Sequence, residues 1–108
     1  MTLVLIAELR THPGEAGSVL AILDALVEPS MSEPGCLGYR PLLDPAASDV
    51  VVCLEEWVNE DALQFHFATA HFVDAAERLD AHLREPFVLR RLADVEESGG
   101  HRKSHATR

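Results

Sequence analysis

Positive charge is what this chain has least of. Its only lysine is Lys103, and residues 1–97 set six arginines against all 18 acidic residues, a net charge of −12 over that stretch. Such a surface repels nucleic acid and anionic membrane, so neither is expected as a partner. Cysteine is scarce as well: Cys36 and Cys53 have neither the number nor the spacing of a structural zinc site. No apolar run approaches the roughly 20 residues of a spanning helix, and no basic segment precedes the apolar start, so a cytoplasmic protein is expected. Aromatic residues make up 6% of the chain, so its one Trp, one Tyr and four Phe matter wherever they cluster. With 108 residues, 47% of them hydrophobic, the chain is expected to form one domain over 1–96. A core of that size is modest, and oligomerisation is a natural way to bury more surface.

The pattern reads strand, helix, strand, strand, helix, strand. Leu3–Leu9 is an apolar, β-branched run closed by Thr11, His12, Pro13 and Gly14. From Glu15, the residues Val19, Ile22, Leu23 and Leu26 recur at helical spacing. Pro29 should kink or loosen the last turn, and Ser32-Glu33-Pro34-Gly35 should end it. Cys36–Leu43 and Val50–Trp57 make a hairpin around Asp44–Ser48. Facing residue numbers in it sum to about 92, with Cys36 opposite Glu56 and Cys53 opposite Tyr39, so the thiols lie roughly 10 Å apart. That is too far for a disulfide, and two buried free thiols are expected. Asn59 caps a second helix that starts at Glu60 and Asp61 and breaks near Ala68-Thr69-Ala70. It resumes with Phe72, Ala75, Ala76, Leu79 and Leu83 inward and stops at Glu85-Pro86. Phe87–Val95 is the fourth strand, and residues 97–108 read as a disordered tail.

This order is the ferredoxin-like βαββαβ arrangement, an α+β fold whose helices cover one face of a four-stranded antiparallel sheet. Leu3–Ile6 and Val50–Leu54 are nevertheless apolar on both faces. A second copy is the economical cover, which gives a homodimer whose two sheets pack face to face or close into a barrel.

The chemistry concentrates between Glu55 and Phe72, where an acid, an indole and two imidazoles follow one strand-to-helix passage. Trp57 reads equally as a pocket wall or as core packing, with Glu55 and Tyr39 on its face. A carboxylate on a strand buried on both faces must be paired or protonated, so Glu55 is either a structural acceptor or a group that orients a histidine. His66 and His71 are five residues apart, about 140° on an unbroken helix, and converge only if the helix breaks between them. Two imidazoles with no third ligand make a poor metal site, so no metal is expected. His12, His82, His101 and His105 read as turn, helix-surface and tail residues.

Glu33-Pro34-Gly35-Cys36-Leu37-Gly38-Tyr39, then Glu55-Glu56-Trp57, then His66 and His71-Phe72 together resemble the signature of the antibiotic biosynthesis monooxygenase family. The resemblance spans about residues 3–95 and implies a dimeric α/β barrel with a pocket between sheet and helices in each subunit. Relatives oxygenate phenols or quinols with O2 and neither metal nor flavin, degrade haem, or isomerise a phosphorylated signalling sugar. The haem-degrading pattern is not matched, because its strand-one Asn reads as Leu9 and its axial His falls near Ala76. Nor is the anthrone-oxygenase pattern, whose Asn and Tyr positions hold Cys53 and Leu63. The best match is to the subgroup with Phe-His-x-x-x-x-His, here Phe65-His66 to His71. A phosphorylated substrate would want a cation at the pocket, and Arg40 is expected on the opposite face of its strand.

The resulting expectation is a small monooxygenase without cofactor that binds a phenol, quinol or polyketide-like aromatic. His71, before His66, would take the phenolic proton. Trp57, Tyr39, Glu55, Phe67, Phe72, Leu9 and Ala7 would line the substrate. An isomerase of a small oxygenated metabolite and a non-catalytic binding module are the alternatives, and oxygen uptake separates the first of them from the oxygenase.

Overall fold

The computed structural model describes residues 2–93. Four strands, β1 (Leu3–Arg10), β2 (Cys36–Leu43), β3 (Val50–Trp57) and β4 (Val88–Ala93), form one antiparallel sheet in the order β2-β3-β1-β4. Three helices, α1 (Ala16–Met31), α2 (Glu60–Phe67) and α3 (Ala70–Asp80), complete the βαββαβ order, the second helical unit being split in two. This is the ferredoxin-like α+β fold. Period two sets the inner face: Leu5, Ala7 and Leu9 of β1 and Val51, Cys53, Glu55 and Trp57 of β3 are buried. Val19, Ile22, Leu23 and Leu26 of α1 and Ala75 and Leu79 of α3 close over them. On the outer face Leu42, Leu54, Val88 and Leu92 are exposed. Among the described residues no helix is long and apolar enough to cross a membrane.

Several boundaries differ from the sequence pattern. The hairpin register is shifted by two, so Tyr39 faces Glu55 and Pro41 faces Cys53, while Cys36 faces Trp57 across an irregularity between Cys36 and Gly38. The turn is longer than the pattern suggests. Asp44 Oδ1 accepts from Ala46 N at 2.8 Å, and Val50 N donates to Ala47 O at 3.1 Å, which moves the centre of the hairpin one residue onward. A shift of two leaves the side chains from Gly38 onward on their expected faces, while the irregularity before Gly38 turns Cys36 to the inner face beside Trp57. Cys36 and Cys53 are both free and buried. Pro29 lies inside α1, which runs on to Met31. Its missing N–H costs one bond, to the Ala25 carbonyl, and the turn is closed beyond it by N–H groups that donate to Glu28 O and Ser30 O. α3 stops at Asp80 rather than at Glu85-Pro86, because Leu83 bridges to Thr11 and Arg84 N donates to Arg10 O at 3.0 Å. β4 begins at Val88, one residue after the expected start; Asp94 and Val95 of the expected strand, and the 97–108 tail, lie outside the described residues.

Two turns bring Glu33 and the two central histidines into position. At the end of α1 Glu33 N donates to Ser30 O and Cys36 N donates to Glu33 O, and Val58 N then ties Gly35 O to the end of β3 at 2.9 Å. A Cβ at Gly35 would collide with the side chain of Ala62, so only glycine lets this turn lie against α2. Between α2 and α3, Thr69 Oγ1 donates to His66 O at 2.7 Å and accepts from Phe72 N at 3.2 Å. One hydroxyl thus ends one helix and caps the next. Asn59 Oδ1 caps α2 by accepting from Ala62 N at 2.9 Å, as its place before Glu60 and Asp61 suggests.

Candidate active site

The break at Thr69 turns the chain so that His66, at the end of α2, and His71, at the start of α3, face a common acceptor. That acceptor is Glu33. Its Oε2 lies 2.8 Å from His66 Nδ1 and 2.6 Å from His71 Nε2. With the carboxylate ionised, both ring nitrogens donate, which leaves His66 Nε2 and His71 Nδ1 as the lone-pair nitrogens of two neutral rings. The other oxygen, Glu33 Oε1, is buried with no partner. The His66 side chain is 1% exposed and that of His71 29%, so the cluster runs from the core to the surface. Burial pushes the His66 imidazole below its usual range, against the raising influence of Glu33, and His71 lowers it further. Sequence spacing offered no third donor beside the imidazoles, and the structure places a carboxylate there. Glu33, 33 and 38 residues away in the chain, is brought to them by the turn after α1.

His66 is packed among aromatic rings, with centroids 4.6 Å from Trp57, 5.1 Å from Phe72, 5.7 Å from Tyr39 and 5.9 Å from Phe67. Tyr39, Phe67 and Phe72 in turn wall a narrow cavity of about 20 Å3 between sheet and helices, together with Ala7, Leu9, Cys53, Glu55 and Phe87. A space of that size holds a water molecule and not an aromatic ring. Six of the seven residues expected to line a substrate, Tyr39, Glu55, Phe67, Phe72, Leu9 and Ala7, therefore share one cavity. Trp57 is not among its walls, and neither imidazole is; they stand one layer behind it.

Glu55 is satisfied by Trp57 rather than by a histidine: the indole Nε1 donates to Glu55 Oε1 at 3.1 Å. Residues i and i+2 of one strand share a face, so this partner is the nearest available. Burial lifts the Glu55 carboxyl to about 7, opposed by hydrogen bonds from Trp57 and Cys53 and assisted by the charge of Glu33. The Tyr39 phenol and the Cys53 thiol are pushed up by the same burial and by nearby Glu55, so both stay protonated near neutral pH. The cavity is thus apolar, with a phenol donor and a carboxyl poised near neutrality on its wall. Arg40 faces Leu54 and borders a groove of about 460 Å3 with Val4, Leu54 and Glu56, and Tyr39 and Glu55 line both this groove and the cavity.

Residues 2–78 match the family model described as antibiotic biosynthesis monooxygenase. The chain belongs to the antibiotic biosynthesis monooxygenase family. It is 32% identical over 93 residues to Probable quinol monooxygenase YgiN of Escherichia coli strain K12, covering 77% of this chain and 89% of that protein. It is 30% identical over 88 residues to the protein sll1783 of Synechocystis, where it matches 82% of its own length and spans 60% of that relative. The solved structure of PA3566 from Pseudomonas aeruginosa superposes with a TM-score of 0.80 at 33% identity, over 88% of this chain and 95% of that one. Glu33, Tyr39, Glu55, Trp57, His66 and His71 all lie inside the segment that carries the family match, whereas Phe87 and the whole of β4 lie beyond it. Glu33 opens the very stretch that carries the family resemblance, and that is the one sequence signal that could have singled it out. Its place before Pro34 reads first as a helix stop.

Proposed function

We propose that this chain is a cytoplasmic, homodimeric monooxygenase that acts with O2 on a small phenol or quinol and needs no cofactor. The observation that carries the reading is the Glu33 carboxylate holding both imidazoles directly behind the aromatic wall of the cavity. The substrate ring occupies the cavity by displacing Phe72, which uncovers the His66 imidazole behind it, with its hydroxyl toward that ring and Tyr39 and its faces against Phe67, Ala7 and Leu9. Trp57 holds Glu55 in place. The phenolic proton passes to the His66–His71 pair and leaves at His71, the ring that reaches solvent; Glu33 fixes which nitrogen of each ring stays free. The anion is electron-rich enough to react with O2. One oxygen atom replaces a ring hydrogen as a hydroxyl, the other departs as water, and the quinol ends as a hydroxyquinone, so the substrate supplies all four electrons.

An oxygen electrode with a naphthoquinol tests this directly, with mass spectrometry of the product. Wild type should consume O2 and yield the hydroxylated quinone. His71→Ala should lower kcat by about 100-fold, the low end for general-base catalysis, with its circular dichroism and quinol binding unchanged. Equal oxygen uptake by His71→Ala would remove the proton-acceptor role. The isomerase alternative is less well supported, since among the described residues no cationic side chain lines the small cavity itself; Arg40 borders only the groove that shares Tyr39 and Glu55 with it. The homodimer is supported by the exposed apolar outer face with Leu54 and Val88, and cytoplasmic placement by two free thiols. Light scattering should give twice the 11.9 kDa chain mass, and a monomer would count against the dimer.

A further inference from the structure

We propose that Glu33, His66 and His71 form a binding site for one divalent transition-metal ion of the Zn2+ or Co2+ type. This goes beyond the oxygenase reading and does not depend on it. His66 Nδ1, His71 Nε2 and a Glu33 carboxylate oxygen all lie within 4.8 Å of one another. Glu33 Oε2 stands 2.8 Å from the first nitrogen and 2.6 Å from the second. Ligands held ~2.0–2.2 Å from a tetrahedral zinc ion are about 3.4 Å apart, so the cluster accepts the ion through shifts of roughly 1 Å. Two imidazoles and a carboxylate are a donor set that suits zinc and cobalt and leaves a position open.

A second observation points to the same ligand. Glu33 Oε1 is buried and unpartnered in a side chain that is 5% exposed. Hydrogen bonds to the imidazoles use only Oε2 and leave that oxygen unsatisfied, which is costly in the interior. An ion chelated by both oxygens satisfies it, and the open position is then the fifth of an expanded coordination shell. The scaffold around the donors is already fixed. Trp57 and Phe72 hold the His66 ring, Thr69 sets the start of α3 two residues before His71, and the Cys36 N–H holds the Glu33 carbonyl. The part-exposed His71 side provides the approach and the open coordination position. The surrounding excess of acidic residues draws cations toward it.

Occupancy has a chemical consequence. A neutral His71 carries one ring proton; with Nε2 on the metal, that proton sits on Nδ1 and the ring has no lone pair to offer. Metal binding and proton acceptance by His71 therefore exclude each other, and the ion acts as an inhibitor of the oxygenase reaction.

The test is a Co2+ titration of the full chain carrying His101→Ala and His105→Ala, which removes the competing C-terminal imidazoles. The expected result is a saturable visible absorption band at one equivalent, displaced by Zn2+. Affinity should fall at least about tenfold in Glu33→Gln and in His71→Ala, and stay unchanged in His82→Ala, which breaks the separate His82–Glu15 pair. If Glu33→Gln does not fold, His71→Ala carries the comparison, because its ring is part exposed. Absence of the band, equal affinity without Glu33 or His71, or a band that follows His82 overturns the site. Oxygen uptake in chelator-treated protein separates the two readings. Uptake blocked by Zn2+ supports both. No uptake by the metal-free protein, with Co2+ still bound tightly on addition, overturns the oxygenase reading alone. Uptake that persists with Zn2+ bound overturns the exclusion between metal and proton.

Discussion

Trp57→Ala should lower the free energy of unfolding by about 3–5 kcal/mol, the range for truncating a buried Trp. Trp57 is fully buried at the end of β3, between Leu3 of β1 and Cys36 of β2. Three losses combine. The indole's apolar surface leaves the core, and the cavity it vacates lies beneath the His66 ring that rests on it at 4.6 Å. The Glu55 carboxyl loses its Nε1 donor while staying buried. Trp57→Phe separates these contributions, because it keeps most of the packing and removes only the donor and part of the area; it should cost about 1–3 kcal/mol. Urea titrations followed by far-ultraviolet circular dichroism measure both, since each variant removes the chain's only Trp. Against a typical domain stability of about 5–15 kcal/mol, that is a fifth of the total or more, and at the low end of the range it leaves the alanine variant close to unfolded. A loss under about 1 kcal/mol would mean that Trp57 is not a central part of the core.

The sequence made the elements legible because the signals were local. Val19, Ile22, Leu23 and Leu26 recur at helical spacing, Asn59 precedes two acids, and Thr69 interrupts an otherwise helical run; each fixes a boundary through bonds within a few residues. Hairpin register needed the turn's own hydrogen bonds, and alternation alone admits a slip of two without exposing a side chain. The candidate site was half legible for the same reason. His66 and His71 converge because the helix breaks where the pattern suggests, but Glu33 reaches them only through the docking of the turn after α1 against β3 and α2. No spacing rule carries that information. Glu55 was legible as an anomaly, a carboxylate on an inward face, and its partner was not, because the indole two residues on competes with distant imidazoles. The size of the cavity depends on how Phe67, Phe72 and Phe87 interlock, a matter of volume that hydrophobic pattern does not record.

Glu55→Gln should make the protein more stable at pH 8 and leave it unchanged near pH 4.5. Burial holds the Glu55 carboxyl at about 7 in the folded chain, against 4.5 for the unperturbed group. Below pH 4.5 it is protonated in both states and carries no electrostatic penalty. As pH rises from 4.5 the unfolded chain gives up the proton first, so the folded state loses stability steadily until it too ionises near 7. At 1.36 kcal/mol per unit of pKa difference, the loss reaches about 3 kcal/mol above pH 7. Glutamine keeps the shape of the neutral acid and an oxygen for the Trp57 N–H, yet cannot ionise, so it escapes the loss. Other titrating groups move both proteins alike, and the difference between the two urea-stability curves isolates Glu55. That difference should open between pH 4.5 and 7 and then stay level. Parallel curves across the range would mean that Glu55 ionises as readily in the folded chain as in the unfolded one. In that case a hydrogen bond from it to a substrate oxygen, which requires the protonated acid, would be lost as well.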